Sequence, residues 1–202
     1  MNRETEIGLA KPFCLTIAQI VRLLERHFTY SYSEKGASRL PVLAIYAIYQ
    51  VLVNNVARYK DAILCPLKSE SYKIGDIDIK HANGRSFESF EILFGKPITA
   101  RMVANAYEKF KGYDTDRYYL LTTANMDAAD WESIEKEVAR ISQIHGCQVI
   151  VNGVYTTLKY YLRLLNDPAE FIDKYVELLK QDETVKFQHK TAWNDIISSG
   201  IK

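Results

Sequence analysis

Between Lys73 and Phe94 the chain reads KIGDIDIKHANGRSFESFEILF, and the Asn83-Gly84 pair at its centre limits the fold more than any other feature. Asn-Gly favours the two positive-φ positions of a tight hairpin turn, and it is flanked here by alternating segments. Lys73 to Lys80 is therefore expected as one strand and Ser86 to Phe94 as its return. With a two-residue loop Ala82 faces Arg85, Asp78 faces Ser89, Lys80 faces Phe87 and Asp76 faces Glu91. Side chains alternate across a strand, so Asp76, Asp78 and Glu91 share one face. Ile77, Ile79, Phe90, Ile92 and Phe94 take the other, which reads as core.

Two carboxylates directly across a strand pair, with Cβ atoms about 5 Å apart, repel each other. A divalent cation reverses the sign. Mg2+ takes hard oxygen ligands, one or two carboxylates with waters and phosphate, and lowers the pKa of an attacking water. On charge pattern alone, a metal centre and a solvated acidic face both remain open.

The surrounding pattern supplies the context. Thr16 to His27 has helical spacing with Thr16 as N-cap, and a polar loop leads to Ser38. A second helix, about Leu40 to Tyr59, is apolar nearly all round and should be buried. Ala62 to Leu67 is a short strand candidate limited by Pro66. After the hairpin come a helix capped by Thr99, a strand at Arg117 to Thr123, a helix at Asp127 to His145 ended by Gly146, and a strand at Cys147 to Val151. The remainder from Val154 is helical, with a fresh helix at Pro168. The expected fold is α/β, a mixed central sheet flanked by helices, in one domain over 1–202. Its core spans about 36–152 and its C-terminal helices 154–200. The element order αβββαβ is that of PD-(D/E)XK nucleases.

The stretches GASRLPVLAIYAIYQVLV (Gly36 to Val53), GDIDI (Gly75 to Ile79), FEILFGKPIT (Phe90 to Thr99), AYEKFKG (Ala106 to Gly112) and RYYLLTT together resemble the SacI-type restriction endonuclease family. The resemblance implies Mg2+-dependent, site-specific cleavage of double-stranded DNA by a homodimer, as part of a restriction-modification pair. Asp76 takes the place of the metal-binding aspartate and Glu91 that of the acid in E-x-K, with Asp78 assisting at the metal. Leu93 stands where E-x-K has its lysine. Lys96, just past the strand, is one substitute. Lys80, on the acidic face in Asp78-Ile79-Lys80, is another. A metal working without an amine is a third reading. The alternative is a relative that no longer cuts and only binds DNA or a partner subunit.

Other features are quieter. The net charge of +1 neither proposes nor excludes DNA. Cys14, Cys65 and Cys147 read as reduced, buried thiols of a cytoplasmic protein. The apolar run Pro41 to Val53 falls short of the roughly 18 residues a membrane span needs, and the N-terminus carries no export pattern. His27, His81, His145 and His189 show no ligand spacing, His81 pointing to solvent at the turn. Lys73, Arg85, Lys96, Arg101, Lys109, Lys111 and Arg117 bracket the hairpin, balanced by acids.

Overall fold

The computed structural model describes residues 7–67, 74–126 and 130–200. The chain is α/β, with a mixed five-stranded sheet flanked by helices. The elements in order are α1 (Ile17–Phe28), α2 (Arg39–Asn55), β1 (Ile63–Leu64), β2 (Ile77–Lys80), β3 (Ser86–Leu93), α3 (Ala100–Phe110), β4 (Thr115–Thr122), α4 (Trp131–His145), β5 (Gln148–Gly153), α5 (Val154–Leu162), α6 (Ala169–Gln181) and α7 (Phe187–Ser198). Helix α2 stops at Asn55 and a separate 3-10 turn, Ala57–Tyr59, follows, so the expected helix to Tyr59 is divided. The strand expected over 62–67 shrinks to two residues. Lys73, and Asp127 as the expected start of α4, lie outside the described residues; Asp130 is the cap of that helix, its carboxylate accepting from the Ser133 amide.

The sheet order is β1-β2-β3-β4-β5. β1, β2 and β3 run antiparallel in turn, while β3–β4 and β4–β5 are parallel. The hairpin turn differs from the sequence expectation in an instructive way. His81 and Arg85 close it, the His81 amide donating to the Arg85 carbonyl, so its loop holds three residues, Ala82 to Gly84. Gly84 takes a left-handed φ of 86°, as such loops require. Lys80 consequently faces Ser86, not Phe87. Phe87 is then the extra residue of a β-bulge, and it cancels the one-residue shift. Ile77 pairs with Phe90, Asp78 with Ser89 and Ile79 with Glu88, the register the two-residue loop implied. On the face expected as core, Ile77, Ile79, Phe90 and Ile92 are buried, with Phe90 stacked on Tyr119 of β4 at 4.3 Å, while Phe94, beyond the end of β3, is only half-buried.

The chain divides into two compact units, Leu52–Thr157 and Met1–Val51 together with Leu158–Lys202. The expected core of about 36–152 falls mostly in the former, with most of α2 in the latter. In Leu52–Thr157, α3 and α4 cover one face of the sheet. Val103, Ala106, Phe110, Ile134 and Ile141 pack there against Tyr118, Leu120 and Val149. In the other unit every residue from Leu40 to Tyr49 of α2 is buried, which agrees with its all-round apolar pattern. Helices α1 and α7 meet, and the segment before α1 is tied to α7: Trp193 Nε1 donates to the Ala10 carbonyl (2.8 Å) and the Ala10 amide to Asn194 Oδ1 (2.9 Å). Of the cysteines only Cys147 is buried; Cys65 is half-buried and Cys14 exposed. Among the described residues no helix is long and apolar enough to cross a membrane.

His27 of α1 is completely buried between Tyr175 and the His189 carbonyl. A carbonyl only accepts, so Nε2 carries the proton and Nδ1 accepts from the Tyr175 hydroxyl. Burial pushes its pKa from 6.5 down to about 4, against a smaller upward pull from the His189 carbonyl. The unfolded chain binds this proton first, so the stability held above pH 6.5 is lost as pH falls toward 4. We expect roughly 3 kcal/mol of acid-linked loss between pH 7 and 4 from this group. Urea melts across that range should show it, and His27→Gln, though less stable at pH 7, should lose less on acidification.

Candidate active site

The acidic end of the hairpin begins at Gly75. A Cβ at this position would collide with the backbone carbonyl of Phe90, so only glycine lets the chain pass this close to β3. Immediately after it, the Asp76 amide donates to the same Phe90 carbonyl (2.6 Å) and Asp76 Oδ2 accepts from the Ile92 amide (2.8 Å). Asp76 therefore precedes the paired part of β2, but its carboxylate is anchored to the residue following Glu91. This is the neighbourhood that the register predicted for the pair.

Glu91, half-buried on β3, is held at both oxygens. Tyr118 of β4 donates its hydroxyl to Oε2 (2.9 Å), and Lys109 Nζ of α3 lies 2.7 Å from Oε1. Burial first, then the charge and hydrogen bond of Glu91, then the charges of Asp76 and Asp78 raise the Tyr118 phenol well above its ordinary pKa. Tyr118 thus stays protonated and donating, and all three acids are near enough to act on it. The acidic face is not an open solvated one: Glu91 pairs with Leu120 and Ser89 with Tyr118, on the side of the sheet covered by α3 and α4.

Asp78 departs from the expectation. It is 5% exposed, and its two oxygens accept from the amides of Ile74 and Gly75, both at 3.1 Å. Its carboxylate fastens the turn that delivers Asp76. Among the described residues no group of three or more His, Cys, Asp or Glu side chains is arranged to hold a metal. Among the described residues, the carboxylates of Asp76 and Glu91 are the ones a divalent ion here would meet. Two hard oxygen donors, completed by waters and a phosphate, suit Mg2+.

Neither expected substitute for the missing lysine is drawn to Glu91. Lys96 is exposed in the turn after β3, where its carbonyl accepts from Thr122 Oγ1. Lys80 lines a separate cavity of about 240 Å³ with Asp78, Arg85 and Tyr113. Leu93 packs against the core beneath α3 and α4. Among the described residues the amine that reaches Glu91 is Lys109, one of the cations that bracket the hairpin in the sequence. Its signal was position: it stands next to Phe110 and three residues after Ala106, at the border of the buried stripe of α3. Only the packing of that helix onto the sheet turns the border residue toward Glu91.

A second polar cluster sits at the turn end of the hairpin. His81 Nε2 bonds Asp116 Oδ2 (2.8 Å), the Arg85 guanidinium forks onto both oxygens of Asp116, and the His81 ring lies 4.6 Å from Phe87. His81 is thus packed and paired rather than directed to solvent. Partial burial would raise the Asp116 carboxyl, but hydrogen bonds from His81 and Arg85 outweigh it and hold the group below its ordinary value. Glu88, fully buried, draws the guanidinium groups of Arg58 and Arg117 and the Tyr119 hydroxyl, each at 3.4 Å. A cavity of about 420 Å³ opens there, lined by Arg58, Asp61, His81, Asn83, Arg85 and Phe87. Three guanidinium groups, of Arg58, Arg85 and Arg117, meet the carboxylates of Glu88 and Asp116 at this end.

No model of a known protein family matches the chain, and no curated protein matches it. The tightest constraint on the site is Gly75, and Gly75→Ala should displace the Asp76 turn and cost about 2 kcal/mol of stability by overpacking. Chemical denaturation checks this, with Gly84→Ala at the distal turn as the comparison.

Proposed function

We propose that the chain is a Mg2+-dependent endonuclease of the type II restriction class, hydrolysing phosphodiester bonds of double-stranded DNA as a homodimer within a PD-(D/E)XK-type core. The observation that carries this reading is the half-buried Glu91 carboxylate, flanked by the Lys109 ammonium and by an Asp76 fixed to the adjacent Ile92 amide. Asp76 and Glu91 would hold the ion, which supplies an acidified water and charge neutralisation at phosphorus. Tyr118 keeps Glu91 oriented through its hydroxyl. Lys109 brings the amine that Leu93 lacks, placed to steady the attacking water or the charge on the phosphate. Asp78 assists indirectly, by holding the turn that presents Asp76.

A second reading, a relative that binds DNA or a partner subunit without cutting, draws support from two observations. Leu93 is committed to the core, and both oxygens of Glu91 already have protein partners. Plasmid incubated with the purified chain and Mg2+ or Mn2+ separates the two. The nuclease reading expects linear or fragmented DNA, with Asp76→Ala and Glu91→Gln each reducing the rate on the order of a hundredfold or more. Intact plasmid under every condition, with band shifts retained, sinks catalysis and leaves the binding module.

A further inference from the structure

We propose that Lys109 is a resident counter-ion of the acidic site, occupying the cation position on Glu91 and giving it up when a divalent ion binds. This rests on the reading of Asp76 and Glu91 as the ion's ligands. Two observations and one chemical property carry it. The two oxygens of Glu91 have different kinds of partner: the neutral Tyr118 hydroxyl on Oε2 and the Lys109 ammonium on Oε1. Oε1 can therefore exchange its partner while Oε2 keeps the carboxylate in place. The side chain of Lys109 is 48% exposed and that of Glu91 21%, so the amine arrives from the solvent edge of α3 and has room to leave. An ammonium is also a compact point charge on a flexible stem, which exchanges more readily than the bidentate fork of a guanidinium.

Without a cation, the acids near Tyr118 repel one another, and Lys109 relieves part of that repulsion in the ion-free protein. Displaced from Oε1, the ammonium remains tethered to α3 beside the site, where an incoming phosphate needs positive charge. Lys109 and the divalent ion are thus competitors for one oxygen.

Competition has a sign that a supporting role does not. Calorimetric titration of the full chain with Mg2+ and with Mn2+ should give binding roughly fivefold tighter in Lys109→Met than in the parent, the scale of one partly exposed ion pair. The ion should also raise Tm more in the variant, whose ion-free state has lost its compensating charge. Lys109→Gln serves as a second neutral variant, and circular dichroism verifies the fold of both. If the parent binds and both variants bind equally or more weakly, Lys109 merely props Glu91 and the proposal is overturned. If neither parent nor variants bind either ion, the reading of Asp76 and Glu91 as ligands falls, and this inference with it.

Discussion

The pairing of β2 with β3 is the constraint on which the rest of the sheet and its site depend. It places Ile77 and Ile79 on the buried face, and it brings Asp76 to the end of β3 where Glu91 stands. A slip of one residue would send every one of these side chains to the opposite face. Three backbone-level devices hold it: the Gly75 passage against Phe90, the Asp78 carboxylate closing over two amides, and the bulge at Phe87. Each acts through a main-chain group, so the turn that carries Asp76 is fixed to the strand pair by its backbone.

The helices then decide what that geometry means electrostatically. An acidic face left in water would be screened and unremarkable in its chemistry. Here α3 and α4 close over the same face, so Glu91 sits half-buried with an ammonium and a phenol as partners, and Asp78 is almost wholly enclosed. Charges in such a setting interact more strongly than on a wet surface. The turn end of the hairpin follows a different rule, each guanidinium meeting a carboxylate around Phe87.

Much of this was legible in the residues. Period-two alternation around Asn83-Gly84 identified the hairpin and the faces of Asp76, Asp78 and Glu91, and the apolar run of α2 identified a buried helix. The loop length is not legible, because Asn-Gly serves a three-residue loop with Gly84 left-handed as well as a two-residue one. The register survived only because Phe87 bulges, and nothing in SFESF announces a bulge. Lys109 escaped for a different reason. Its contact with Glu91 joins a helix to a strand through tertiary packing, and no spacing along the sequence encodes that. Asp78 likewise looked identical to Asp76 in pattern, the difference being which amides the turn aims at it.

The division of the chain also sets how far apart along the sequence the partners in each unit lie. One unit is a single stretch, Leu52–Thr157, whereas the other is assembled from segments on either side of it. Every strand of the sheet and its acidic site lie within that single stretch. Helix α1 meets α7, and Ala10 bonds Trp193 and Asn194 across 183 and 184 residues of chain. Contacts at that separation close a long loop, so the unit that holds them should be the slower of the two to form.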